Sequence, residues 1–159
     1  MQFKRAAGSK IKVRLTAEEA RVLGRLIGEL RSLLEAGAKD DPVEGRLFPA
    51  AYESDEDAGE YRSMVEDDLR RGKLESLDAV EGVLDPAGKV NTVLTPDQVD
   101  AWLTVLTDLR LAIGTRLEVT EEAMSKDVDP DDPRAPTMSL LHWLGWTQEM
   151  LLEQIQAGR

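Results

Sequence analysis

Residues that could perform covalent chemistry are scarce in this chain of 159 residues. It has no cysteine and one histidine, His142. Without cysteine there is no thiol nucleophile, no thiolate zinc site and no sensor based on thiol oxidation. No serine occupies a Gly-x-Ser-x-Gly elbow, and no glycine loop has phosphate-cradling spacing. We therefore predict a protein that is not an enzyme and uses no metal or cofactor, and we expect His142 to face solvent or an interface.

Carboxylates are abundant, but their spacing does not define a site. Residues 127–132 resemble the start of an EF-hand calcium loop, yet Asp132 and Met138 stand where that loop requires Gly and Glu. We expect no tight calcium binding there. Acid pairs occur throughout a chain with 31 acidic residues, so they indicate acid–base catalysis only if a pocket gathers them. A small-molecule pocket between helices is the enzyme-like alternative.

The basic residues are concentrated near the N terminus, although the formal net charge is −11. Residues 1–34 hold eight basic and three acidic side chains, a local charge of +5, which leaves −16 for residues 35–159. Such a patch can contact phosphate while the acidic remainder repels it, so nucleic-acid binding should be weak and salt-sensitive. The simpler interpretation is a solvated face. The residues that would touch DNA phosphates are Lys4, Arg5, Lys10, Lys12, Arg14, Arg21 and Arg25.

A helix-turn-helix-like pattern over residues 111–123 does not predict a DNA reader. The helix that would enter the major groove carries Glu121 and Glu122, and its one nearby cation is Lys126. These acidic side chains would face phosphates, which opposes binding.

The C-terminal helix, expected from about Thr137, is apolar on two sides. One side is a core stripe, and a roughly opposite sector holds Trp143, Trp146 and Met150. Either the helix is surrounded within the bundle, or this sector binds a protein partner, a second copy of the chain included. We take these three residues as the candidate partner-binding sector. The core stripe comprises Leu141, Leu144, Gln148, Leu151, Leu152 and Ile155.

Arg110 lies within the apolar face of the preceding helix. That helix is predicted to begin after Thr95, with Pro96 and Gln98 in its first turn, and to end at about Leu117. A buried guanidinium without a partner costs several kcal/mol, so we predict that Arg110 forms a structural ion pair, or meets a carbonyl, from another element. The candidate carboxylates are Glu66, Asp67 and Asp68 of the second helix.

The N-terminal elements are predicted to be a small sheet and one helix. Period-two alternation beside a glycine turn predicts a β-hairpin over residues 1–15. An isolated hairpin is marginal, and residues 89–94 are the candidate third strand. Thr16 and Glu19 form a capping box that starts the first helix, which ends before Gly37.

The central segment is predicted to hold two more helices. Residues 38–54 predict an ordered connection whose Leu47, Phe48 and Tyr52 enter the core. A second helix should run from about Ser54 to Gly72, followed by a third, shorter one. Their predicted buried stripes are Ala58, Tyr61, Val65 and Leu69, and then Leu74, Leu77, Val80 and Leu84.

These elements predict one domain over residues 1–159. Residues 118–136, with seven acids and three prolines, are expected to form an acidic solvated loop before the last helix. The predicted fold is mainly α, a bundle of about five helices with an N-terminal β-hairpin or three-stranded β-element. No secretion signal or membrane span is evident, so we expect a cytoplasmic protein.

Several motifs together carry a resemblance to a known family. They are Arg46-Leu47-Phe48-Pro49, Leu94-Thr95, Ala101-Trp102-Leu103, Asp108-Leu109-Arg110-Leu111, Gly114-Thr115-Arg116-Leu117 and Trp143-Leu144. The chain resembles, over nearly its whole length, a family of helical domains of unknown function, some of whose members are AosR-like oxidative-stress transcriptional regulators. The resemblance implies a non-enzymatic regulator that acts through protein contacts, with the transcription machinery or the Clp adaptor system as partner, since relatives are often encoded near ClpS.

Overall fold

A computed structural model describes residues 1–49, 59–85, 88–118 and 129–158 of the chain. These ranges contain three strands and five helices. The strands are β1 (Gln2–Arg5), β2 (Ile11–Leu15) and β3 (Val90–Leu94), and the helices are α1 (Ala17–Ala36), α2 (Pro42–Leu47), α3 (Gly59–Glu81), α4 (Pro96–Leu117) and α5 (Ala135–Gln156). The predicted fold class, mainly helical with a small N-terminal sheet, is confirmed.

The three strands form one antiparallel sheet in the order β1-β2-β3. Phe3 pairs with Val13, and Val13 pairs with Thr92 on the other side. Because side chains alternate along a strand, one face of the sheet buries Phe3, Val13 and Leu94 against the helices. The hairpin is therefore completed by the third strand that the sequence suggested.

Helices α1 and α4 each begin with a capping box at the predicted position. Glu19 N donates a hydrogen bond to Thr16 Oγ1 at 3.1 Å, and Thr16 N donates one to Glu19 Oε1 at 2.9 Å. Thr95 and Gln98 make the same reciprocal pair at the start of α4. Each N-cap contributes about 1 kcal/mol to helix stability. Gly37 ends α1 in the left-handed conformation, with φ of +58°, that glycine adopts most easily.

The predicted second and third helices are one continuous helix, α3. Gly72 lies inside it, with nothing within 4 Å of the position a Cβ would occupy. One interior glycine costs only about 1 kcal/mol relative to alanine, which is too little to end a helix that packs well. The predicted stripe is wrong in its first half, because Tyr61 is 72% and Leu69 is 46% exposed. Leu77 and Val80, farther along α3, are buried as predicted.

The two predicted connections are only partly described. Within residues 38–54 the structure adds the short helix α2, and it buries Leu47 and Phe48 as expected. The predictions for Tyr52 and Ala58 lie outside the described residues. So do residues 119–128, which include the first two residues of the calcium-loop pattern and the last five of the helix-turn-helix pattern.

Helix α4 lies at the centre of the fold, packed against α2, α3 and α5. Its Trp102 is 1% exposed and meets the ring of Phe3 edge to face, with the ring centroids 5.9 Å apart. Aromatic pairs in this geometry stabilise beyond the area that they bury. The sheet and the helices therefore share one hydrophobic core.

Candidate functional site

The structure separates the residues of the predicted partner-binding sector. Trp143 and Met150 are half-buried and pack against the core, whereas Trp146 is 56% exposed. Of the three, Trp146 is the residue most open to a partner. On the other side of α5 the core stripe is buried at Leu141, Leu144, Gln148 and Leu151 and half-buried at Leu152 and Ile155.

Arg110 contacts α5 and not the predicted second helix. Its Nη1 donates a hydrogen bond to Gln148 Oε1, and its guanidinium passes 3.3 Å from where a Cβ on Gly145 would lie. Glu66 and Asp68 pair with arginines of their own helix. Among the described residues Arg110 forms no ion pair, so the predicted ion pair is wrong, and the acceptor is a carbonyl of another element, the side-chain amide oxygen of Gln148. The side chain is half-buried, and its Nε is shielded from solvent with no hydrogen-bond partner among the described residues.

His142 is half-buried, and its Nε2 atom is shielded from solvent with no hydrogen-bond partner in the described ranges. It was expected to face solvent or an interface. No group of histidine and acidic residues in the described part of the chain could hold a metal ion.

Helices α3 and α4 are joined by an ion pair between Lys73 and Asp108. Lys73 Nζ lies 2.8 Å from Oδ1 and 3.0 Å from Oδ2 of Asp108, which is 4% exposed. Burial raises the pKa of Asp108, and the hydrogen bond and charge of Lys73 lower it by a smaller amount. The pair joins two helices inside the fold and is not open to a ligand.

A second internal ion pair fastens α2 to α3. Arg70 donates two hydrogen bonds to Glu44, at 2.6 and 3.0 Å, and Glu44 is 1% exposed. The same guanidinium donates to the carbonyl oxygen of Leu34 at 2.8 Å and stacks 4.4 Å from the ring centroid of Phe48. The sequence analysis missed this pair, because Glu44 sits in a segment without helical periodicity. These contacts are structural.

The structure distributes the seven predicted phosphate contacts over several surfaces. Lys4, Lys12 and Arg14 project from the outer face of the sheet, which we call the basic sheet face. Arg5 instead joins β1 to the end of α5: its N donates to Gln154 Oε1 at 3.0 Å, and its Nη1 donates to the Ala157 carbonyl. The remaining three are exposed, with Lys10 in the hairpin turn and Arg21 and Arg25 on α1.

An apolar groove of about 500 Å³ lies between α1, α4 and α5. We call it the α1–α4–α5 groove. Its rim carries Arg25, Glu29 and Arg116, of which Arg116 pairs with Asp41 at 2.7 Å. The apolar lining consists of Leu26, Leu30, Leu33, Leu109, Ala112, Ile113 and Leu140. Leu26, Leu30 and Leu109 are at the same time buried members of the hydrophobic core, so the groove lies directly over that core.

A smaller cleft of about 380 Å³ lies at the end of the sheet beside the start of α1. Arg14, Lys89 and Asn91 line it together with Glu19. Burial raises the pKa of Glu19, but hydrogen bonds from the N-terminal ammonium and from Thr16 outweigh burial and lower the pKa overall. Glu19 therefore stays ionised, and the N-terminal ammonium balances its charge.

The geometry defines a helical domain with an appended sheet, internal ion pairs, an apolar groove and a basic sheet face. The family model described as "Domain of unknown function (DUF2017)" matches residues 1–155, and the chain belongs to this family. Comparison with curated proteins and with solved structures finds no match. None of the described helices is both long and apolar enough to cross a membrane.

Proposed function

We propose that the protein is a non-enzymatic regulator that acts by binding another protein, and that the α1–α4–α5 groove makes the contact. The observation that carries this proposal is the groove itself. It offers an apolar floor that a side chain or a helix face of a partner would fill. Its polar groups lie at the rim and do not converge on one point, which favours a protein over a small polar metabolite.

The rim charges indicate the kind of partner. Arg25 is exposed and forms no ion pair with a described residue, while Arg116 is already paired with Asp41. An apolar segment flanked by an acidic residue would bury its apolar side chains in the groove and place the acid beside Arg25. The resemblance to AosR-like oxidative-stress regulators supports a cytoplasmic setting in transcription, and the link to ClpS supports an adaptor role as the alternative. A homodimer through the same groove is a further form of the proposal.

Co-purification with groove variants tests this function. Ala112→Phe fills the floor of the groove, and Arg25→Glu reverses the rim charge. Arg21→Glu is the matched control, because it makes the same charge change on an exposed residue of α1 outside the groove. Tagged wild type and variants are recovered from the native cytoplasm at low and moderate salt. The recovered protein is identified by mass spectrometry, and its direct binding is then measured with purified components.

The expected result is a partner whose direct binding is lost with Ala112→Phe, weakened with Arg25→Glu and retained with Arg21→Glu. Polymerase or sigma subunits would indicate transcription control, Clp components an adaptor role, and a second copy of the chain a homodimer. Trp146→Ala, measured in parallel, shows whether the predicted sector on α5 adds to the contact. Recovery of no partner, or equal binding by wild type and both groove variants, would refute the proposal.

A further inference from the structure

Among the described residues, one edge of the sheet is covered and the other is not. The β1 edge meets α5, with Arg5 N bonded to Gln154 and the Arg5 guanidinium bonded to the end of that helix. Strand β3 pairs with β2 on one side, and no described strand pairs with its other side. Proteins usually protect such an edge with lysine, proline or a bulge. The sequence of β3, Val-Asn-Thr-Val-Leu, contains no charged residue and no proline, and its Val93 is 45% exposed.

Several cations on the outer face of the sheet have no carboxylate partner among the described residues. In the strand register Lys4 lies opposite Lys12, Lys12 opposite Val93, and Arg14 opposite Asn91. Like charges directly opposite each other destabilise a sheet. None of these cations forms an ion pair with a residue in the described ranges. Lys89, exposed just before β3, adds a fourth positive charge at the cleft end of the strand.

We propose that the β3 edge and the basic sheet face together bind an extended acidic segment of a partner protein, which adds to the sheet as a fourth strand. The backbone of the segment would pair with the free side of β3, as peptides do at other exposed sheet edges. Its acidic side chains would meet Lys12 and Arg14. This site is separate from the α1–α4–α5 groove, and neither proposal depends on the other.

The distance between neighbouring strands of a sheet indicates which residue pattern the bound segment should have. Neighbouring strands lie about 4.8 Å apart, so the fourth strand would be about 10 Å from β2. Alternate side chains of the segment would point to the outer face, where glutamates and the long side chains of Lys12 and Arg14 can bridge that distance across Asn91 and Val93. The recognised segment therefore has an acid at every second position, with apolar or small residues between.

A peptide fits this surface better than a nucleic acid does. The outer face of the sheet carries no aromatic side chain on which bases could stack. Residues 35–159 carry a net charge of −16, which would repel a long polyanion but would affect a short segment less. A second copy of the chain joined edge to edge through β3 would bring like cations together.

The test measures binding of a fluorescently labelled Glu-Val-Glu-Val-Glu-Val peptide by anisotropy at low ionic strength. The variant Lys12→Gln/Arg14→Gln should weaken binding about tenfold, the sum expected for two exposed charge pairs. Neutralising these residues also relieves the repulsion between Lys4 and Lys12, so the variant is expected to fold, which circular dichroism verifies. The control Arg21→Glu makes the same change of two charge units on an exposed α1 residue that lies outside both the groove and the sheet, and it should leave binding unchanged.

Two further probes separate strand addition from simple charge attraction. The glutamates would lie opposite Asn91 and Val93, whose backbone groups face the free edge, so their N–H groups would pair with β3. A peptide that is N-methylated at each glutamate keeps the charges but lacks these N–H groups, and it should not bind. A single-stranded DNA oligonucleotide of equal charge should bind more weakly than the Glu-Val peptide. The proposal is overturned if the Glu-Val peptide does not bind, if the N-methylated peptide binds equally well, if DNA binds more tightly, or if the α1 control loses as much affinity.

Discussion

At the scale of single residues, the buried carboxyl group of Asp108 should make the free energy of unfolding depend on pH. Burial holds its pKa above the ordinary value of 3.8, despite the nearby Lys73. The folded state therefore binds a proton more tightly than the unfolded state does. Stability linked to Asp108 is present at pH values below its unfolded pKa and is lost as the pH rises through its raised folded pKa.

The substitution Asp108→Asn should remove this component. We expect the wild-type minus Asp108→Asn difference in unfolding free energy, measured by urea denaturation, to fall as the pH rises from about 3 to about 7. Asp132→Asn is the control of opposite sign, because hydrogen bonds from Arg134 lower the pKa of Asp132. Its wild-type minus variant difference should rise over the lower part of the same range. A flat difference for Asp108→Asn would contradict the burial argument.

The bidentate pair of Glu44 and Arg70 predicts a large effect from the loss of one charge. Glu44→Gln keeps the shape of the side chain but leaves a half-buried guanidinium without its main carboxylate, which should cost about 3 to 5 kcal/mol. Asp68→Asn makes the same change in the exposed pair with Arg71 and should cost less than about 1 kcal/mol. Equal costs in chemical denaturation would show that burial does not determine the strength of the Glu44 pair.

At the scale of elements, the sequence predicts best what is encoded locally. The reciprocal hydrogen bonds of Thr16 and Thr95 depend on residues three positions away, so both helix starts were predicted from the chain alone. The environment of α3 is not local, because periodicity shows that Tyr61 and Leu69 share a face but not whether another element covers that face. The groove escaped prediction for the same reason, and the partner of Arg110 depends on which helix lies beside α4.

Gly72 provides a test of whether α3 is one helix. Because nothing lies within 4 Å of its missing Cβ, Gly72→Ala should stabilise the protein by up to about 1 kcal/mol. Gly37→Ala is the paired experiment: Gly37 has a φ of +58°, and alanine there should destabilise by about 1 kcal/mol. Urea denaturation measures both changes. Destabilisation by Gly72→Ala would indicate a break between two helices at that position, as the sequence alone suggested.

At the scale of the whole molecule, the contact of Phe3 with Trp102 makes the sheet part of the helical core, so the two should unfold together. Far-UV circular dichroism reports the helices, and tryptophan fluorescence in a Trp146→Phe background reports the more buried Trp102 and Trp143. The two urea transitions should coincide. Phe3→Ala should shift both to lower urea by the same amount, corresponding to about 3 to 5 kcal/mol. If Phe3→Ala shifted only the fluorescence transition, the sheet would be a separate unit and not a wall of the core.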